Sequence, residues 1–156
     1  MTSYAGVHEK GTFTVQDTIN NIKKAPNYHK TGAIAIFIGV VRGETLGKKT
    51  EKVEKLTIEA YEEKANQVLT KISNDLTQKK GIVNVQIHHL QGEFNVGDEL
   101  VYVAVAGAHR TDVFPILREA VERYKSEAPV FKKERITSEQ GSASEYWVSE
   151  KNHRDH

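Results

Sequence analysis

Residues 100–124 read LVYVAVAGAHRTDVFPILREAVERY, and this stretch sets the fold class. Its first part, Leu100 to Ala106, is apolar throughout, which is typical of a strand that is buried on both faces. Its last part repeats apolar residues at the spacing of one helix face: Val113, Ile116, Leu117, Ala120, Val121 and Tyr124. We expect Asp112 as the N-cap, Pro115 at the third helical position, and an end before Pro129.

Two further helices are predicted upstream of this stretch. The segment from Thr14 to Asp17 has a capping-box pattern, and the apolar stripe that follows is stopped by Pro26. From Tyr61 to Leu76 apolar residues recur at helical spacing, and Gly81 is expected as the C-cap glycine. With the helix at residues 113–124, the chain therefore has three main helices.

The remaining apolar segments predict strands. The run AIAIFIGVV at Ala33–Val41 is expected to be covered on both faces, whereas alternation at residues 83–88 indicates a half-buried strand. Polar, glycine-containing residues predict a loop at Arg42–Glu51 and a turn at Glu93–Asp98. The other predicted strands are Val53–Glu59, Val130–Ile136 and Tyr146–Val148.

The order of these elements predicts an α+β domain with a mixed, largely antiparallel sheet and three main helices. Nothing in the sequence resembles a linker or an internal repeat, so residues 1–150 are expected to form a single domain. Residues 151–156 are expected to be a frayed C-terminal tail. A metal site formed by His153 and His156 in that tail is not expected.

Composition excludes several classes of function. The 156 residues include no cysteine, which excludes a disulfide framework, a zinc–thiolate site and a cysteine nucleophile. The net charge of +1 shows no basic excess, so no nucleic-acid partner is expected. The longest apolar run, Gly32 to Val41, is too short to span a bilayer. We therefore expect a soluble cytoplasmic protein with no membrane partner.

Three places combine basic side chains with the ends of apolar elements. Arg42 follows the strand that carries Phe37, and His109 and Arg110 lie between a buried strand and a helix N-terminus, which favours anions. Each arrangement is also what an ordinary surface arginine or a capped turn would give. These residues are candidates for an anion-binding site.

The third place is the segment YKSEAPVFKKE, residues 124–134. Lys125 ends the third helix, where a cation also complements the helix dipole. Alternation places Lys132 on one face of the following strand and Lys133 on the other. A lysine beside apolar surface can serve as a general acid or base near neutral pH. We add Lys133 to the anion-binding candidates.

Five strings resemble, in order and spacing, the large subunit of molybdopterin synthase: FIGVVRG, LTIEAYEEKA, GEFNVGD, VAVAGAHR and YKSEAPVFKKE. The resemblance covers about residues 32–148 and implies that family's hammerhead-like fold. It implies an enzyme, a sulfurtransferase, that adds two sulfurs to cyclic pyranopterin monophosphate to make the molybdopterin dithiolene. The resemblance implies that the sulfur comes from the C-terminal Gly-Gly thiocarboxylate of a ubiquitin-like small subunit. It also implies a heterotetramer, made of a homodimer of the large subunit and two small subunits.

The resemblance also implies roles for individual residues. Lys125 and Lys132 match the family's two catalytic lysines. Arg42, His109 and Arg110 match its anion pocket, to which a second protomer contributes, and Phe37 matches an aromatic that lines the site. No metal and no cofactor of the chain's own is implied, because the partner brings the sulfur.

Two departures from the family pattern stand out. Phe131 occupies a position that commonly holds tryptophan, and Leu90 occupies one that often holds arginine. His88 and His89 are interpreted as strand residues, since neighbouring strand positions face opposite ways. Two alternatives to the enzyme are a non-catalytic module of the same fold that binds an anion or a peptide tail, and a nucleic-acid-binding domain.

Overall fold

A computed structural model of the chain describes residues 4–45, 48–137, 141 and 143–148. Within these residues it contains eight strands, three α-helices and one short 3₁₀ helix, Tyr28–Lys30. The helices are α1 (Val15–Lys23), α2 (Glu62–Thr77) and α3 (Arg110–Glu127). The strands are β1 (Ala5–Glu9), β2 (Ala33–Val40), β3 (Glu44–Thr45), β4 (Lys48–Ala60), β5 (Ile82–Asn95), β6 (Glu99–Gly107), β7 (Val130–Thr137) and β8 (Ala143–Val148).

The strands form one sheet in the order β2-β6-β5-β4-β7-β8. The long strand β5 joins β6 and β2 on one side to β4, β7 and β8 on the other. One edge of β5 pairs with β6, and the other edge pairs first with β1 and then with β4. The β1–β5 pair is parallel and every other described pair is antiparallel. The predicted α+β class with a largely antiparallel sheet and three main helices is confirmed.

Helices cover both faces of β5 and β6. Because side chains alternate along a strand, Val85, Ile87 and Val103 face α2 and α3, which bury Leu69 and Tyr124 among others in the main core. Helix α1 covers the opposite face, where Ile22 packs against Ala104 and Ala106. Its N-terminus has the predicted capping box: the Thr14 hydroxyl accepts from the Asp17 amide, and the Asp17 carboxylate accepts from the Thr14 amide.

Two predictions of strand burial were wrong. β2 is an edge strand and is not covered on both faces: Ile34, Ile38 and Val40 are 38%, 37% and 49% exposed. β5 is not half-buried, because α1 covers its polar face and buries Gln86 and His88. An apolar run and a polar alternation show which side chains share a face, but neither shows which neighbours cover that face.

Several predicted boundaries were also wrong. The loop expected at residues 42–51 contains β3 and the start of β4, although residues 46–47 are not described. Gln78, not Gly81, is the C-cap of α2. His109, not Asp112, is the N-cap of α3, because the amides of Asp112 and Val113 both donate to the His109 carbonyl. Pro115 therefore lies inside the helix.

The C-terminal strand prediction was correct in type, since β8 pairs with β7 along Ala143–Val148. Residues 151–156, predicted as a tail, lie outside the described residues. Among the described helices, none combines the length and the apolar character needed to cross a membrane.

Candidate functional site

Lys125 and Lys132 line the same small cavity. Helix α3 ends at Glu127, the Ala128 amide donates to the Tyr124 carbonyl at 3.0 Å, and β7 begins at Val130. This short reversal turns Lys125, in the last turn of α3, and Lys132, early in β7, toward one another. The other residues that line the cavity are His89, Tyr124, Ala128 and Val130. The sequence therefore brings its two predicted catalytic lysines together by a local turn.

The lysine cavity, as we call this space, is small and largely apolar. Its volume is about 10 Å³, which is room for about one water molecule. The Lys125 Nζ lies 5.9 Å from the centroid of the Tyr124 ring. A molecule larger than water can therefore reach the lysines only from the mouth of the cavity.

Arg42 lies at the same end of the sheet as the lysine cavity but in a separate groove. Val101 of β6 is in register with His89 of β5 on one side and with Gly39 of β2 on the other. His89, at the cavity, and Gly39 are therefore two strand spacings apart, about 10 Å. Arg42 follows Gly39 by three residues and lines an open groove with Gly43, Glu44 and Lys52. The guanidinium therefore borders the cavity end without entering the cavity.

His109 and Arg110 lie at the opposite end of the sheet. They follow β6 where Gly107 pairs with Ala33, the first residue of β2. Both side chains are exposed, and His109 Nδ1 is 3.4 Å from the Asp112 carboxylate. Lys125 lies 15 residues further along α3, about 22 Å away along the helix axis. Within one chain the predicted anion residues are therefore split between the two ends of the sheet.

The remaining predicted site residues lie away from the lysine cavity. Lys133 is on the opposite face of β7, with its Nζ 3.5 Å from Glu145 Oε2 and 5.6 Å from the centroid of the Trp147 ring. Phe37 is half-buried on β2, opposite Val103, and packs against the main core. Neither side chain lines the cavity in the single chain.

Comparison with known proteins identifies the family. Residues 8–127 match the family model described as MoaE protein. This chain belongs to the MoaE family. The molybdopterin synthase catalytic subunit of Pyrococcus abyssi is 35% identical over 141 residues, which are 90% of this chain and 87% of that protein. The Bacillus subtilis protein of the same name is 37% identical over 123 residues, 79% of this chain and 76% of that one.

A solved molybdopterin synthase structure shares the fold. The crystal structure of molybdopterin synthase from Staphylococcus aureus matches with a TM-score of 0.77 and 27% sequence identity, and the match covers 95% of this chain and 98% of that one. The resemblance seen in five short strings of the sequence thus extends over nearly the whole fold.

The two departures from the MoaE pattern have clear structural settings. Leu90 is 3% exposed and belongs to the main core, where an arginine would need a buried partner for its charge. Phe131 is 53% exposed on the face of β7 opposite the lysine cavity. Neither substitution changes the lining of the cavity.

Sequence reasoning missed two residues of the lysine cavity, His89 and Tyr124. His89 was interpreted as an ordinary strand residue and Tyr124 only as part of the helix stripe. The signal was present, since His89 shares its strand face with Val85 and Ile87 and so had to face a covering element. Which helix covers that face was not encoded in the local pattern.

The other face of β5 carries a chain of buried hydrogen bonds, which we call the polar ladder. His8 Nε2 lies 2.9 Å from His88 Nδ1, His88 Nε2 lies 2.8 Å from Gln86 Oε1, and the Gln86 amide donates to Asn84 Oδ1 at 2.5 Å. Because an amide oxygen only accepts, His88 Nε2 carries its hydrogen and His8 donates to Nδ1. Burial, and then the charge of His8, lower the pKa of His88 to about 3.

Proposed function

We propose that this chain is the catalytic subunit of a molybdopterin synthase and acts as a sulfurtransferase. In this proposal it moves sulfur from the C-terminal thiocarboxylate of a ubiquitin-like small subunit to cyclic pyranopterin monophosphate. The observation that carries the proposal is the shared lining of one cavity by Lys125 and Lys132. Membership of the MoaE family, whose relatives bear this name, supports it.

The chemistry needs positive charge at this place. The thiocarboxylate and the substrate phosphate are both anions, and ammonium groups in a largely apolar cavity attract both. Attack by the thiocarboxylate sulfur on a carbon of the pterin forms a C–S bond and a thioester, and it breaks a C–O bond of that carbon. The oxygen leaves on the phosphate as the cyclic phosphate opens in one transfer, and as water in the other. Water then cleaves the thioester, which leaves sulfur on the pterin and a carboxylate on the small subunit's tail. A lysine beside these atoms can donate and accept the protons that move in each step.

The proposal assigns the chain no cofactor or metal of its own. The sulfur must be imported because the chain contains no cysteine. Lysine and arginine side chains supply the charge that holds the anions.

We further propose that a second copy of the chain completes the site. Arg42 and the His109–Arg110 pair lie at opposite ends of the edge strand β2. Antiparallel pairing of β2 with β2 of a second copy would bring His109 and Arg110 of that copy to the end that holds Arg42 and the lysine cavity. The same pairing would cover the exposed Ile34, Ile38 and Val40. A homodimer with one small subunit per protomer gives the heterotetramer that the family resemblance implies.

Reconstitution tests the proposed function. The purified chain is mixed with thiocarboxylated small subunit and cyclic pyranopterin monophosphate, and dithiolene formation is followed. We expect product with the natural chain and with the control Lys23→Ala, since Lys23 ends α1 on the opposite face of the sheet. We expect nearly none with a folded Lys125→Ala. Binding of both reactants without product by the natural chain would favour the non-catalytic binding module instead.

A further inference from the structure

A short segment of the chain, residues 12–23, covers the polar ladder on β5. We call it the α1 flap, since it consists of α1 and the turn before it. Phe13 in that turn stacks on both histidines of the ladder: its ring centroid lies 4.1 Å from that of His8 and 4.2 Å from that of His88. His88 is fully buried beneath this cover. The sulfur-transfer steps described above give the flap no role.

Little apolar surface holds the α1 flap on the sheet. The buried apolar side chain of α1 is Ile22, which packs against Ala104 and Ala106. Phe13 and Val15, at the start of the flap, are only partly buried against the main core. Because the free energy of apolar burial scales with the area removed from water, two alanines and two half-covered side chains hold the flap weakly.

Turns lie at both ends of the α1 flap. Gly11, just before it, has a φ of 87°, and beyond its chain neighbours no atom of the described residues lies within 4 Å of the place where a side chain would begin. After the flap, exposed Pro26 and Asn27, the latter with a φ of 65°, lead into the 3₁₀ helix. The flap can therefore move while β1 stays paired with β5.

The two histidines under the flap share one hydrogen where they meet. His88 Nε2 donates to Gln86 Oε1, so Nδ1 of the neutral ring is bare and accepts from His8 Nε2 at 2.9 Å. A first added proton can go to Nδ1 of His8, and the contact survives. A second added proton would place hydrogens on both of the facing nitrogens and two positive charges side by side. The covered pair therefore cannot hold two added protons.

The charged groups around the pair do not offer a partner for the second proton. Burial lowers the pKa of His8, and the carboxylates of Asp17 on α1 and Glu62 on α2 oppose that effect only in part. Asp17 is also engaged in the capping box of α1. On β6, the Tyr102 hydroxyl donates to the Glu99 carboxylate at 2.7 Å. These groups favour the first proton, on the outer ring, and leave the inner ring without a counter-charge.

We propose that the α1 flap is operated by acid and lifts from β5 when the His8–His88 pair takes up a second proton. Two charges need water, and the flap is the layer that keeps water out. A nine-residue helix is marginal by itself in water, so α1 melts once it is lifted. Strand β1 remains, because Ala5 and Val7 belong to the main core. This inference does not depend on the proposed function.

Native-state hydrogen exchange in low urea, at pH 7.5 and pH 5, tests the flap. If α1 opens by itself, the exchange of its amides depends little on urea, because lifting the flap exposes far less surface than unfolding. Between pH 7.5 and pH 5 their protection factors, corrected for intrinsic exchange rates, should fall at least about 30-fold. This is the factor for one histidine whose pKa is about 6.5 when uncovered and about 3 when covered. The amides of α3 should keep higher protection and a steep urea dependence.

A matched pair of histidine variants completes the test. His88→Gln keeps a polar group in the polar ladder but cannot take up the proton, so the pH-linked fall in α1 protection should become about tenfold smaller. His29→Gln removes an exposed histidine beyond the flap and should retain the full fall. An undiminished fall in folded His88→Gln would overturn the inference. Equal protection and an equal urea slope for α1 and α3 in the natural chain would overturn it as well, and that comparison requires no variant.

Discussion

Acid should destabilise this protein through His88. In the folded chain its pKa is lowered to about 3, first by burial and then by the charge of His8. In the unfolded chain a histidine has its ordinary value of about 6.5. Between these values the unfolded state binds a proton that the folded state does not. The stabilising contribution is therefore complete above about pH 6.5 and is lost as the pH falls toward 3.

The size of the loss follows from the same two pKa values. At pH 5 the unfolded state gains about 2 kcal/mol from protonation of this one histidine, and the loss approaches about 5 kcal/mol near pH 3. The pKa of His8 is also lowered, chiefly by burial, so its protonation acts in the same direction. About 2 kcal/mol is a large part of the stability of a domain of this size.

Urea unfolding at pH 7.5 and pH 5 measures this effect. The natural chain is compared with His88→Gln, which keeps a neutral polar group in the polar ladder but cannot titrate. The carboxylates that also titrate are common to both proteins and cancel in the comparison. We expect the free energy of unfolding to fall by about 2 kcal/mol more in the natural chain. An equal fall in both proteins would refute the assignment of a neutral, buried His88.

Three further predictions concern the edge strand β2, the open groove that Arg42 lines, and the contact between α2 and α3. Ile38→Lys places a charge on the exposed face of β2, and we expect light scattering to show monomers; an unchanged dimer would exclude pairing through β2. Arg42→Ala removes a charged donor, so KM for the pterin phosphate should rise about 10- to 100-fold with a smaller change in kcat, in steady-state kinetics; an unchanged KM would remove Arg42 from the site. Arg123 binds Glu127 on its own helix and Asp75 on α2, the latter at 3.1 Å. In urea unfolding, Arg123→Ala should lower the free energy of unfolding by about 1 kcal/mol. An unchanged free energy of unfolding would mean that this ion pair does not stabilise the packing of α2 on α3.

What the sequence could predict was whatever depends on near neighbours. Helix periodicity, the Thr14 capping box and the Pro129 turn are local, and they located the helices and the junction between α3 and β7. Lys125 and Lys132 are seven residues apart across that junction. Their meeting in one cavity is therefore a consequence of local structure.

What depends on distant neighbours could not be predicted. The apolar run of β2 is the same whether a second layer of this chain or another molecule covers it, so its edge position was missed. Polar residues at alternate positions of β5 predicted that one face of the strand would be exposed to solvent. Instead α1 covers that face, and its polar side chains form hydrogen bonds to one another. The separation of Arg42 from His109 follows from the β2–β6 register, which no local pattern contains.

The most direct test of the account is a double-mutant cycle on Lys125 and Lys132, read out as the rate of dithiolene formation in single turnovers. Two lysines that act in one cavity work as a unit, so the double alanine variant should be no slower than the slower single variant, which we expect to lose about 10²- to 10⁴-fold. A double variant whose rate loss equals the product of the two single losses would contradict a shared catalytic cavity. A folded single variant that turns over at the natural rate would contradict it too.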